Sequence, residues 1–167
     1  VVRYCAYHGT NVSAAGSIMA TAFRKSTQSD AWLGCGVYFW EEKNVAHWWC
    51  RQALRLSSYG IIEATIEVAT GTLWDLQTKE GFRLYRDLCD EIKKKRPPHL
   101  DGKMIGEGTI IDLFCSSVRE MDVVVSNMPD TSRRKYDWSK NIPDRRVIFC
   151  VRNTDCIKEL RVAYHDY

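Results

Sequence analysis

Two short strings contain the residue types from which a binding site could be built. Tyr7-His8-Gly9-Thr10 closes a run that begins at Val1, and Leu33-Gly34-Cys35-Gly36-Val37-Tyr38-Phe39-Trp40 follows about thirty residues later. Glycine lacks a Cβ, so a flat ligand can approach its backbone closely. Its N–H and C=O can then bond both polar groups of a carboxamide. A tyrosine stacks on an aromatic ring while presenting its hydroxyl, and a histidine offers a directional hydrogen bond to a sugar hydroxyl. A planar carboxamide carried on a ribose is nicotinamide riboside, one half of NAD. Taken singly, each residue has an ordinary explanation: His8 as a cap or turn histidine, Tyr38 as sheet packing, Trp48 as a core anchor, Arg24 as surface. The ordered pair of strings is what points to a site.

Residues 5–50 resemble the poly(ADP-ribose) polymerase-like (His-Tyr-x) branch of the ADP-ribosyltransferases. The branch's motifs match His8-Gly9-Thr10, then Ile18 with Ala22-Phe23-Arg24, then Gly34-Cys35-Gly36-Val37-Tyr38-Phe39, then a helix bearing Ala46 and Trp48. The resemblance implies an α+β fold, a mostly antiparallel split sheet with packed helices, using NAD as co-substrate and no metal. By position, His8 would bond the nicotinamide-ribose hydroxyl, with Thr10 a weaker hydroxyl contact, and Gly9 would hold the carboxamide. Tyr38 would stack on the nicotinamide ring and Trp48 on its opposite face, while Arg24 and Ser26 would lie toward the diphosphate or adenosine. A guanidinium suits phosphate.

The branch's third motif, often a glutamate, falls in Arg145-Arg146-Val147-Ile148-Phe149-Cys150-Val151. One alignment puts Arg146 there as the third catalytic position beside His8 and Tyr38; a shifted one puts Ile148. Neither is an acid. A glutamate would stabilise positive charge developing on the ribose as nicotinamide leaves; Glu63, Glu107 and Asp144 are candidate substitutes. The expected activity is therefore mono-ADP-ribosyl transfer, of the kind carried by bacterial or phage members, to a macromolecular acceptor. Two alternatives stand beside it. One is a degenerate module that binds NAD, ADP-ribose or nucleic acid. The other is a tRNA 2′-phosphotransferase-like activity, which would need a dedicated cationic site for the RNA phosphate. Neither GxGxxG nor a GKS/GKT phosphate loop is present.

These residues need elements to position them. A strand is expected over 1–7, a helix capped by Asn11 through Ala20, a strand over 36–40 and a helix over 42–57. The cleanest alternation is in 61–69: Ile62, Ala64, Ile66 and Val68 alternate with Glu63, Thr65 and Glu67, giving one buried and one wet face. A helix over 78–96 stops at Pro97-Pro98. An amphipathic segment spans 109–120, strands span 122–126 and 146–151, a helical turn spans 155–160, and a last strand begins at Leu160. Strands outnumber any βαβ alternation, so the domain, 1–167 without a boundary, is read as α+β with mostly antiparallel strands.

The chain has 167 residues, 45% hydrophobic and 27% charged, with net charge +3. This mild basicity falls short of a dedicated nucleic-acid-binding domain. Arg133, Arg134 and Lys135 with Tyr136 and Trp138 lie in the polar loop 127–144, where base stacking beside phosphate-pairing cations would favour a DNA or RNA acceptor over an acidic protein face. Seven cysteines, an odd number without CxxC or zinc spacing, lie mostly in apolar runs. They are expected to be reduced thiols of a cytoplasmic protein, with a secreted toxin left open. No signal-peptide or membrane-spanning pattern is visible, and a monomer is expected.

Overall fold

Alternating burial along the central strands sets the architecture. The computed structural model describes residues 1–26, 31–95, 106–128 and 146–166. Its elements are β1 (Val2–Asn11), α1 (Val12–Ala20), β2 (Val37–Trp40), α2 (Lys43–Trp48), β3 (Tyr59–Val68), β4 (Leu73–Asp75), α3 (Lys79–Lys95), α4 (Glu107–Ser117), β5 (Val123–Asn127), β6 (Val147–Val151) and β7 (Ile157–His165). The strands form one sheet in the order β4-β5-β6-β2-β1-β3-β7. Only β4 and β5 run parallel; every other neighbouring pair is antiparallel. The α+β reading holds, with a mixed seven-stranded sheet.

Two cores flank the sheet. Trp40, Trp48, Ile61, Trp74, Ile111, Phe114, Val124 and Ile148 form the first, which draws on α2 and α4. Phe23, Val37, Phe39, Ile62, Ile66, Phe149 and Val151 form the second, which includes Ala15 of α1. Consecutive strand residues face opposite ways, so Ile148 and Phe149, or Ile61 and Ile62, fall in different cores. In β3 the second-core face is buried as the alternation predicts, but Tyr59 and Ile61 are buried on the other face too. Residues of α2 pack over that end. Farther along, the wet face bears cross-strand ion pairs between directly opposed residues, Arg3 with Glu67 at 3.1 Å and Arg161 with Glu63.

Several boundaries differ from expectation. The helix over 42–57 is α2 followed by a π-helical turn, Trp49–Ala53, and it ends before Arg55, whose φ is 52°. In β4, three residues are too few to display a period, and the strand exists through pairing with β5. The expected turn over 155–160 is a short 3₁₀ turn, Thr154–Cys156, and β7 takes over from Ile157. Asn11 does cap α1: its Oδ1 accepts from the Ala14 N–H at 2.8 Å. Pro97, Pro98, Asp144 and the acceptor candidates Arg133, Arg134, Lys135, Tyr136 and Trp138 lie outside the described residues. Among the described residues no helix is long and apolar enough to cross a membrane.

Candidate functional site

The site starts from a break in a ladder. The Glu41 N–H bonds the Val147 carbonyl, so the odd residues of β2 bond β6 and the even ones, Tyr38 and Trp40, turn their backbone groups to β1. By the same alternation Tyr7 and Gly9 turn theirs to β2. Yet β1 and β2 are paired at one position, Tyr7 opposite Trp40. One step on, where Gly9 stands across from Tyr38, a side chain replaces the ladder: His8 Nδ1 lies 2.7 Å from the Tyr38 carbonyl oxygen. A carbonyl only accepts, so Nδ1 carries the proton, and Nε2 of the neutral ring is left as an acceptor. Desolvation lowers the His8 pKa below its ordinary value, against the smaller opposing effect of the Tyr38 carbonyl, and keeps the ring neutral.

His8 packs edge-on against Phe23, with centroids 5.1 Å apart, and tilted against Phe39. This fixes the ring on the second-core face, beside a cleft of about 700 Å³. Arg24, Ser26, Ser17, Thr21 and Tyr38 also line that cleft. The segment carrying Arg24 is anchored by the Ser26 N–H bonding the Gly36 carbonyl at 3.0 Å. Among the described residues no carboxylate lines the cleft.

Tyr38 is engaged differently from expectation. Its hydroxyl donates to the Gly34 carbonyl at 2.6 Å and accepts the Leu33 N–H at 3.0 Å. Its ring packs against the first core, so within the His8 cleft this residue stands mainly as backbone. Burial, reinforced by the neighbouring Cys150, raises its pKa and keeps the phenol protonated. The clasped loop is itself tied down by residues that sequence reasoning missed. Both carboxylate oxygens of Asp112 accept the Cys35 N–H, at 2.9 and 3.1 Å. Arg152 pairs with Asp112 and also donates to the Cys35 carbonyl at 3.1 Å. Gly34 sits at φ +82°, and a Cβ there would fall 2.2 Å from Asp112 Oδ1, so the turn requires glycine.

The structure thus brings His8, Arg24, Ser26 and Tyr38 to one cleft and leaves the other expected residues elsewhere. Gly9 is buried next to it, and a Cβ there would lie 2.5 Å from Cys50 Sγ; packing under the helical segment already explains this glycine. Thr10 is half-buried in β1, opposite Gly60. Trp48 is 7% exposed within the first core and so is not placed to cover a ligand in the His8 cleft. Its neighbour Trp49 is the half-buried aromatic, 5.4 Å from Trp32 and 5.6 Å from Trp40 between ring centroids. The mixed spacing of the aromatics along 45–56 could have raised Trp49 as the alternative. Arg146 precedes β6 and its carbonyl accepts from Met128; Ile148 is 2% exposed in the first core. Of the substitute acids, Glu63 is bonded by Arg161, which lowers its pKa, and Glu107 opens α4. Neither lines the His8 cleft.

No family model matches the chain. It is 29% identical to an uncharacterized protein of Methanocaldococcus jannaschii, over 95% of this chain and 86% of that protein.

Proposed function

We propose that the chain is an NAD-dependent mono-ADP-ribosyltransferase whose substrate lies where β1 and β2 part. The observation carrying this reading is the convergence of His8 from β1 with Arg24 and Ser26 from the segment after α1 on one cleft beside the interrupted ladder. The residues fit NAD in kind. His8 Nε2, held as an acceptor by the Nδ1 bond to Tyr38, takes a ribose hydroxyl. Arg24 faces the diphosphate as a bidentate cation, with Ser26 adding a hydroxyl. The Gly9 backbone, turned toward β2, offers an N–H and a C=O to a carboxamide. NAD itself supplies the scissile nicotinamide–ribose bond. The expected split sheet corresponds in this reading to the single paired position between β1 and β2.

Calorimetric titration with NAD tests the assignment. His8→Ala and Arg24→Ala should each lose about 1–3 kcal/mol of binding free energy, the range for one polar contact to a bound group. Unchanged affinity in both variants, with folding intact, overturns it. A second reading, a module that binds without catalysis, is favoured by one observation: among the described residues no carboxylate lines the cleft. Nicotinamide release on incubation with NAD supports the transferase, and binding without release supports the module.

A further inference from the structure

A second cleft, of about 510 Å³, lies on the other side of the segment that carries Arg24. Ser26 is bridged to Gly36 as in an antiparallel pair, so side chains alternate along 24–26. Arg24 and Ser26 line the His8 cleft, and Lys25 lines the second. Arg119 and Arg152, from separate parts of the chain, line it too, with Ser117 and Asn153 as neutral hydrogen-bonding groups and Glu120 as the one lining carboxylate among the described residues.

The two guanidiniums are fixed in advance. Arg119 donates to the Gly71 carbonyl at 2.6 Å; a neutral acceptor leaves its full charge and further N–H donors available. Arg152 is held by Asp112 and the Cys35 carbonyl. Lys25 is exposed, and among the described residues it pairs with no carboxylate. A cation just past the end of α4 stabilises that helix end, which accounts for Arg119 but not for Lys25, brought in from a different segment.

We propose that this second cleft is a phosphoryl-anion site, which receives a phosphate ester through Lys25, Arg119 and the outward donors of Arg152. The ester is either one phosphodiester of a nucleic-acid strand or the phosphate of a free nucleotide. Binding itself does not depend on the NAD reading; only its use to present an acceptor rests on that reading. Anchored guanidiniums favour phosphate because their donor geometry matches its oxygens.

Fluorescence anisotropy of the full chain with labelled single-stranded DNA and RNA hexanucleotides, at about 50 mM salt and above, tests the proposal. Lys25→Glu combined with Arg119→Glu should weaken binding at least tenfold. It should also flatten the slope of log K against log salt by about 0.7, the single-strand value for one neutralised phosphate. Glu120→Lys should tighten binding, a gain that misfolding cannot mimic. Displacement by AMP at equal phosphate concentration assigns the site to free nucleotides; resistance to AMP assigns it to the strand. Wild-type affinity in the double variant, or no wild-type binding of either phosphate ester, overturns the proposal. Calorimetry with NAD on the same variants separates the two readings: the double variant should keep its NAD affinity, and His8→Ala its hexanucleotide affinity.

Discussion

His8 shows how burial sets a protonation state while one contact sets the tautomer. An unfolded histidine titrates near 6.5, whereas burial lowers the folded value for His8. Above about pH 6.5 both states are neutral and this group adds no pH dependence. Below it the unfolded chain takes the proton first, so stability falls as pH falls, down to the folded pKa. On the proposed NAD reading the same sign governs binding, because Nε2 accepts a hydroxyl only while neutral. NAD affinity measured calorimetrically between pH 8 and pH 5 should therefore stay level through about 6.5 and fall only below it. A fall centred on the ordinary histidine value would mean that burial does not hold the His8 pKa down. Thiols give an independent check at this scale. Burial pushes Cys50 and Cys150 up to about 12, so neither should react with a thiol reagent in the native protein at mildly alkaline pH. After denaturation without reductant all seven cysteines should titrate as free thiols; fewer would mean a disulfide.

Among the elements, the loop joining α1 to β2 depends on a contact supplied from two distant places, Asp112 on α4 and Arg152 just after β6. Asp112→Ala would leave the Cys35 N–H and a mostly buried guanidinium without their carboxylate. Its expected cost is about 2–3 kcal/mol, the range for losing charged hydrogen bonds, held low because both side chains keep some solvent contact. Thermal unfolding should register this as several degrees in Tm; an unchanged Tm would mean that the Tyr38 clasp holds the loop alone. None of this was legible beforehand. A single Asp in an amphipathic helix and a single Arg after a strand have no periodicity, and their meeting is created by the sheet order. Longer segments were legible for the opposite reason: β3 repeats its alternation through Ile62, Ala64, Ile66 and Val68, and Asn11 advertises the start of α1. The candidate site was readable in its residue types, His8, Arg24 and Ser26, but not in side-chain direction. A strand offers two faces, and only the register places Tyr38 with the first core while His8 faces the second.

On the proposed transferase reading, the sheet as a whole places β6 and His8 so that chain building is not expected. β6 contributes Ile148 to the first core, and Arg146 precedes the strand. Neither can accept a proton from a weakly acidic ribose hydroxyl, and among the described residues no carboxylate lines the His8 cleft to do so instead. Elongation requires such a hydroxyl to act as the next nucleophile. A single transfer does not, provided the acceptor is a better nucleophile or brings its own carboxylate. Losing one charge-stabilising contact costs about 3–4 kcal/mol of barrier, which slows turnover without abolishing it. Mass spectrometry of modified acceptor should accordingly show one ADP-ribose increment per site. Restoring the acid offers a sharper form of the test, and the structure predicts different outcomes at the two positions. Ile148→Glu buries a carboxylate among apolar side chains, at a cost of several kcal/mol, and should lower Tm sharply before any effect on catalysis can be read. Arg146→Glu falls at a half-buried position outside the strand and should lower Tm far less than Ile148→Glu does. If position 146 faces the ribose, that variant releases nicotinamide from NAD faster than wild type does. A ladder of polymer from the unmodified protein would refute single transfer directly, and equal nicotinamide release in Arg146→Glu and wild type would remove position 146 from the catalytic set.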